Sequence, residues 1–283
     1  MVSPSRRRDA VKYLLGRHPV SERRACNLVG QYRSTQRYSG VPRDLELRLV
    51  ARMNELAAEY PRWGYRRVWS LLRGEGFTVN KKRVERLWRL EGHKVPAQRR
   101  KHGQKAVGGN AGATWNLQAD RPNAIWSYDF VASRTDDGLA LRILNVVDEY
   151  TRRCLGCRVD RSIGSGDLID GLAGLFARHG KPKAIRSDNG REFIAANLAR
   201  WLAAQGVCQI FIEKGSPQQN AYVERFNGSM RDEKLNGELF CSVLEARVVL
   251  AEWVHVYNTI RPHRGLGMKT PQAFYETLPE GSR

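Results

Sequence analysis

Residues 124–131 have the sequence AIWSYDFV, in which apolar and polar side chains alternate. This period of two predicts a β-strand whose aromatic side chains face one way, while Ser127 and Asp129 face the other. A carboxylate inside such an aromatic strand costs free energy unless it has a partner to bind. Asp129 is therefore the first candidate functional residue of the chain.

The sequence that follows predicts a mixed α/β sheet. Further strands are expected at 141–147, 154–159, 184–187 and 207–212, and helices at 166–179, 197–205, 217–235 and 244–257. Asp148–Thr151 has the composition of a hairpin turn, and Ser165 is expected to cap the first of these helices. Three strands followed by alternating helices and strands predict a sheet that is antiparallel first and parallel later, with helices on its faces.

Two further carboxylates occupy positions that predict a shared site with Asp129. Asp188 ends the fourth strand, at the carboxyl edge where parallel sheets place their sites, and Glu224 lies on the helix after the last strand. Taken singly, such residues are usually turn or solvated side chains. Three carboxylates that converge can bind Mg²⁺, and two such ions about 3.5–4 Å apart can hold the attacking and leaving oxygens of a phosphodiester.

The net charge of +19 is concentrated in the first part of the chain. Residues 1–108 carry a net charge of +17, whereas residues 109–283 carry +2. This asymmetry predicts an N-terminal DNA-binding region joined to a nearly neutral second domain. The alternatives on charge alone are a ribosomal or other RNA-binding protein, or a basic face that only improves solubility.

Short helices are predicted throughout the basic region. Residues 1–40 are expected to form a helix-turn-helix-like segment, or a generic helical pair, in which Ser21 and Ser34 begin helices. Residues 41–95 are expected to form a helical DNA-binding domain with helices at 44–60, 65–73 and 81–91. The last helix carries the candidate DNA-binding residues Lys81, Lys82, Arg83 and Arg86, whose alternative role is that of a solvated face.

Two more domain assignments complete the predicted organisation. Residues 96–120 are rich in Gly, Ala, Lys and Arg and predict a flexible basic linker, and residues 121–283 form the predicted catalytic core. The chain has no apolar run of the roughly 18 residues that span a membrane, and no secretory signal is recognisable, so a cytoplasmic location is expected. Its five scattered cysteines do not predict a disulfide framework.

Several motifs together indicate a family. They are WSYDF at 126–130, VDEYTR at 147–152, RSDNGREF at 186–193, SPQQNAYVERFN at 216–227, YNTIRPHR at 257–264 and TP at 270–271. Thirty-five residues separate Asp188 from Glu224. The sequence thus resembles DDE-type insertion-sequence transposases. It is most similar to the second-frame (OrfB) catalytic subunit of the bacterial group with two overlapping reading frames, and the retroviral integrase core is a more distant relative.

The resemblance implies a ribonuclease-H-like core with a mixed five-stranded sheet flanked by helices, preceded by a small helix-turn-helix-like region. It implies that Asp129, Asp188 and Glu224 bind two Mg²⁺ ions, for which Mn²⁺ substitutes, and that the chain cleaves transposon ends and transfers the strands. It also implies a first-frame (OrfA) partner or fusion, a homo-oligomer on DNA, and a bacterial, nucleoid-associated location. The alternatives are an inactive DNA-binding regulator and a nuclease that hydrolyses without joining.

Further DNA-binding candidates surround the three carboxylates. The family has a basic residue seven positions after the glutamate, which here is Arg231, and its alternative role is that of a surface arginine. Asn220 and Asn227 share the helical face of Glu224 and can orient it or contact DNA. A last group, Asn258, Arg261, His263 and Arg264, follows the final long helix and either binds phosphate or holds the core through hydrogen bonds.

Overall fold

The computed structural model describes residues 3–38, 44–95, 118–213 and 217–282. By their contacts, these residues belong to two compact units, Met1–Asn54 and Glu55–Arg283. The helical residues from 55 onward therefore belong to the same unit as the predicted catalytic core. The predicted linker over 96–120 lies almost entirely outside the described residues, and the domain boundaries remain a prediction.

The first unit is built from short helices, of which the first two have serine side-chain caps. They are α1 (Pro4–Arg17), α2 (Glu22–Val29), α3 (Arg33–Arg37) and the first part of α4 (Asp44–Glu59). Ser21 caps α2 as predicted, because its hydroxyl accepts a hydrogen bond from the backbone N–H of Arg24. The expected cap at Ser34 is wrong: Ser34 lies inside α3, which Tyr32 precedes.

Two amphipathic helices, α5 (Tyr65–Gly74) and α6 (Lys81–Leu90), follow α4. Asn80 caps the start of α6, and its Oδ1 accepts a hydrogen bond of 2.8 Å from the backbone N–H of Lys82. Helix α6 buries Val84, Leu87 and Trp88, whereas Lys82 and Arg86 are exposed. Its cationic side is therefore available to a polyanion.

Within the described residues, five strands form one mixed sheet in the order β3-β2-β1-β4-β5. They are β1 (Ile125–Arg134), β2 (Ala140–Asp148), β3 (Cys154–Asp160), β4 (Ala184–Ser187) and β5 (Cys208–Phe211). The first three pair antiparallel, whereas β4 pairs parallel with both β1 and β5. This arrangement confirms the predicted sheet and makes β1 its central strand.

Helices cover both faces of this sheet. They are α7 (Ser165–His179), α8 (Ala196–Ala204), α9 (Ala221–Met230), α10 (Val243–Thr259) and α11 (Pro271–Glu276). Ser165 is the first residue of α7 rather than its cap, and Asp167 of the first turn accepts a hydrogen bond from the N–H of Gly164. The predicted helix over 217–235 is a 3₁₀ turn, then α9, then a π-helical turn at Arg231–Leu235. None of the helices in the described ranges is long and apolar enough to cross a bilayer.

The alternation in β1 separates two apolar cores. Trp126 and Tyr128 pack with α7 and α8 in one core, whereas Val131 packs in the other with Val223 and Phe226 of α9. Asp129 has the same parity as Val131, so its side chain faces α9. Register decides this outcome, because a slip by one residue would exchange the two faces.

A buried ion pair joins the β2–β3 turn to β4. Both carboxylate oxygens of Glu149 accept hydrogen bonds of 2.9 Å from Arg186, and the two side chains are 0% and 5% exposed. The hydroxyl of Ser127 also donates to Glu149. Burial raises the pKa of Glu149, and the charge of Arg186 opposes that rise. Removing one partner would leave an unpaired charge in the interior.

We expect Arg186→Met to lower the free energy of unfolding by about 3–5 kcal/mol, because it leaves buried Glu149 without its counter-charge. The loss should be larger at pH 8 than at pH 5, since protonation relieves an unpaired carboxylate. Urea unfolding measures both effects. Arg158→Met, which breaks a half-exposed pair with Asp167, is the matched control and should cost less than about 1 kcal/mol. Equal losses in the two variants would contradict the prediction.

Candidate active site

Asp129 lies near the middle of the central strand and is mostly buried. Its Oδ1 accepts a hydrogen bond of 2.8 Å from the backbone N–H of Phe130, and its Oδ2 accepts one of 2.9 Å from Nδ2 of Asn227. Burial raises the pKa of Asp129 to about 6, and the nearby charge of Asp188 adds to the rise. The two hydrogen bonds act in the opposite direction, because they stabilise the charged carboxylate.

Asp188 follows β4 directly, at the carboxyl end of that parallel strand. Its Oδ1 accepts a hydrogen bond of 2.9 Å from the N–H of Gly190, which fixes the turn that follows β4. A Cβ at Gly190 would lie 3.0 Å from Oδ1 of Asp188 and 3.2 Å from the ring of Phe193. Glycine therefore allows the turn to close over the carboxylate.

Glu224 reaches the same region from α9. The neighbouring residues Val223 and Phe226 are buried against the sheet, while Glu224 itself is exposed. Its pKa is raised, first by partial burial and then by the charge of Asp129. The three predicted carboxylates therefore lie close enough for Asp129 to interact electrostatically with both of the others.

The chemistry of this site fits a hard divalent cation. Oxygen ligands suit Mg²⁺, and the repulsion that raises the pKa of Asp129 is the kind that a bound cation would remove. In the part of the chain that the structure describes, however, no three His, Cys, Asp or Glu side chains are gathered closely enough to hold a metal ion. The three carboxylates are suitable ligands for such a cation, but a bound metal would have to draw them closer together.

Comparison with known proteins identifies the family of this chain. Two models of the integrase core domain match residues 119–217 and 205–271, and a model of an HTH-like domain matches residues 44–102. The uncharacterized 39.2 kDa protein of insertion element IS476 from Xanthomonas euvesicatoria is 38% identical, over 96% of this chain and 78% of that protein. The uncharacterized 31.7 kDa protein of IS407 from Burkholderia multivorans is 39% identical, over 90% of each chain.

The chain belongs to the insertion-sequence transposases with an integrase-type core. The transposase of IS904 from Lactococcus lactis is a more distant relative, 27% identical over 75% of this chain and 87% of that protein. Family membership assigns the chain to DNA transposition and confirms the predicted family. The mixed sheet with its flanking helices, together with the matched integrase core and HTH-like domains, confirms the predicted fold class.

Solved structures similar to this transposase include a retroviral assembly and a retroviral core. The intasome of simian T-cell lymphotropic virus in complex with the PP2A regulatory subunit B56 gamma has a TM-score of 0.48 and 15% identity, covering 81% of this chain and 75% of that chain. The HTLV-2 integrase catalytic core domain in complex with magnesium has a TM-score of 0.45 and 15% identity, covering 56% of this chain and 99% of that chain.

A pair of asparagines holds Asp129 of the transposase in place. Asn145 of β2 is fully buried, and its Nδ2 donates a hydrogen bond of 2.8 Å to Oδ1 of Asn227. This bond orients the amide of Asn227 so that its Nδ2 donates to Asp129. Asn227 was a predicted site residue, whereas Asn145 was missed. The only signal in the sequence is one asparagine inside the apolar strand ILNVV.

The other candidates near Glu224 differ in their surroundings. Asn220, just before α9, is buried, and its Oδ1 has no hydrogen-bond partner among the described residues. Arg231 begins the π-helical turn and is exposed. In the described structure, neither side chain forms a hydrogen bond with Asp129, Asp188 or Glu224. The contact of Asn220 and Arg231 with DNA remains a prediction.

Several residues of the 257–264 segment hold the core through hydrogen bonds, which is the second of the two roles considered for them. Asn258 exchanges hydrogen bonds of 2.9 Å with the backbone N–H and C=O of Cys154. Arg261 is buried, and its guanidinium donates to Glu233 and to the hydroxyl of Ser229. His263 lies edge-on against a tyrosine ring, and burial together with the charge of Arg261 lowers its pKa to about 3. At neutral pH, His263 is therefore uncharged and adds no positive charge for a phosphate.

We expect the Asp129 carboxyl group of the metal-free protein to titrate near pH 6. Because the raised pKa means that ionisation is costly, stability should fall as pH rises from the ordinary range through this value. Asn227→Ala should raise the pKa further, because it removes a hydrogen bond to the charged form. Carboxyl-carbon NMR measures the titration, with Asp129→Asn for assignment. A midpoint near the ordinary value of 3.8 would rule the prediction out.

Proposed function

We propose that this transposase cleaves the ends of its insertion sequence and joins them to target DNA by metal-dependent transesterification. The observation that carries the proposal is the convergence of three acidic residues from separate elements. Asp129 on the central strand interacts electrostatically both with Asp188 at the end of a parallel strand and with Glu224 on α9. Such a group of oxygen ligands suits phosphoryl transfer with divalent metals.

Asp129, Asp188 and Glu224 are the residues that would hold the cations, proposed as two Mg²⁺ ions for which Mn²⁺ can substitute. When bound, such metals activate a water or 3′-hydroxyl and stabilise the departing oxygen. The chain itself positions the carboxylates of Asp129 and Asp188. The N–H of Gly190 donates to Oδ1 of Asp188, and the amide of Asn227 donates to Oδ2 of Asp129. The contact with Gly190 does not use Oδ2 of Asp188. These bonds favour the ionised carboxylates that metal binding requires.

The proposed partners are DNA at the transposon ends and at the target. The exposed face of α6, with Lys82 and Arg86, and the exposed Arg231 after α9 supply cations for phosphate. Synapsis of two ends requires at least a dimer on DNA, and a first-frame protein, separate or fused, is proposed to assist recognition of the ends. A cytoplasmic, nucleoid-associated location accords with this function.

We expect Asp188→Asn to abolish cleavage of transposon-end DNA while DNA binding persists, because the substitution removes a metal ligand but no positive charge. Gel-based cleavage and fluorescence anisotropy measure the two properties. Asp170→Asn, which changes an exposed aspartate of α7, is the control and should keep both. Cleavage by the Asp188→Asn protein in Mg²⁺ would defeat the ligand assignment.

A joining assay with pre-cleaved transposon ends should separate the proposed function from its alternatives. We expect labelled 3′ ends to appear covalently attached to a target plasmid in Mg²⁺, because a positioned 3′-hydroxyl can replace water as the nucleophile. The assay is run with and without the first-frame protein. Hydrolysis of the plasmid without joining would identify a nuclease instead. Binding without any chemistry under both conditions would identify a DNA-binding regulator.

A further inference from the structure

The unit Glu55–Arg283 contains a cavity that the proposed chemistry does not use. Its volume is about 740 Å³, and it is lined by the start of α5, one side of α9 and the segment that follows α10. None of the three carboxylates Asp129, Asp188 and Glu224 lines it. The cavity is therefore a separate feature of the molecule.

Positive charge dominates the wall of this cavity. Its cationic residues are Lys81 and six arginines, namely Arg66, Arg67, Arg152, Arg225, Arg261 and Arg264. Among the described residues, no aspartate or glutamate lines it. Glu233, just outside the wall, pairs with both Arg67 and Arg261, so one carboxylate faces two guanidinium groups. The exposed Arg66, Arg225 and Arg264 add further charge at the surface.

The effect of this charge is visible on the groups within it. Burial lowers the pKa of Arg67 to about 10, and the charge of Arg261 contributes to the fall. The pKa of His263 is lowered by burial and by three arginines, Arg261, Arg67 and Arg152. Cations are thus crowded more closely than the neighbouring carboxylate of Glu233 can offset, as expected of a site that awaits an anion.

Aromatic rings are interleaved with these cations. Tyr65 and Trp69 are four residues apart and share one side of α5, and Tyr222 contributes a ring from α9. The guanidinium of Arg152 lies 3.6 Å from the centroid of the Tyr222 ring, and that of Arg66 lies 5.7 Å from the centroid of Tyr65. All three rings are partly exposed. Aromatic rings beside arginines are the combination by which proteins bind unpaired bases.

Helix α9 separates this cavity from Glu224. Tyr222, Arg225 and Ser229 line the cavity and are spaced by three and four residues, so they share one face of the helix. Glu224 is two residues from Tyr222, which is a rotation of about 200° on an α-helix. A ligand in the cavity would therefore contact a different face of the helix from the one that bears the Glu224 carboxylate.

We propose that this cavity binds a single-stranded segment of DNA, with phosphates on the exposed arginines and a base against the aromatic rings. A concave site of this volume is of the size that encloses a small molecule, comparable with one nucleotide. Stacked base pairs of an intact duplex present only outer phosphates to such a site, whereas an unpaired nucleotide can enter it. The inference rests on the proposed function only in taking DNA as the ligand.

The test is binding of fluorescein-labelled octathymidylate in EDTA, compared with a blunt duplex of the same length. We expect the double variant Arg66→Glu/Arg264→Glu to bind the single strand at least about tenfold more weakly. The salt slope should fall by about 1.4, the value for two lost phosphate contacts. The control is Arg178→Glu/Arg200→Glu, an equal charge change at exposed arginines of α7 and α8. An equal loss in the control, or an equal loss for the duplex, would overturn the proposal.

A second variant tests the base. Tyr65→Ala keeps the charge and should weaken binding of octathymidylate without changing binding of an abasic oligomer of the same length. Photocrosslinking with 5-iodouracil in the oligomer should map to Tyr65, Trp69 or Tyr222. Crosslinks found only outside the cavity would refute the site. Because these measurements need neither metal nor cleavage, a protein that fails the joining assay can still pass them, and the two proposals can fail separately.

Discussion

A charged group in the middle of a buried sheet is the constraint on which this structure depends. Asp129 lies on the central strand, directly opposite Asn145 of β2 in the antiparallel register. Both side chains face α9, and Asn227 of that helix donates to Asp129 while accepting from Asn145. The helix therefore cannot pack on the sheet through apolar contacts alone. This small polar network fixes where α9 lies and makes the carboxylate tolerable in the interior.

Helix α9 has three faces, and each face contacts a different part of the molecule. Val223, Phe226 and Met230 bury one face against the sheet. Glu224 and Asn227 form a second face at the carboxylates, and Tyr222 belongs to the third, toward the cationic cavity. The π-helical turn that follows carries Asp232 and Glu233, which pair with Arg62 and Arg67 near and within α5. These ion pairs connect the matched HTH-like region to the helix that bears a candidate metal ligand.

Much of the fold could be predicted because its signals are local. Alternation in residues 124–131 located the central strand and separated Asp129 from the aromatic rings, and Ser21 marked the start of α2. The predicted caps at Ser34 and Ser165 were wrong, because each serine lies in the first turn of its helix and the packed chain begins that helix one residue or more earlier. Asn145 was missed for a related reason. A lone asparagine in an apolar strand acquires meaning only when the register places it opposite Asp129 and beneath Asn227.

The net charge of residues 109–283 also gave no indication of how the charged residues are arranged in the folded chain. Residues 109–283 carry a net charge of only +2, which suggested a nearly neutral second domain. In the folded chain, acids and bases of that half are sorted to different places. Asp188 and Glu224 each repel Asp129 at one face of α9, and Arg67 and Arg261 repel each other in the cavity at another. Grouping like charges in this way lowers the free energy of unfolding of the ligand-free protein. Both sites gain most from a ligand of opposite charge, cations at one and phosphates at the other.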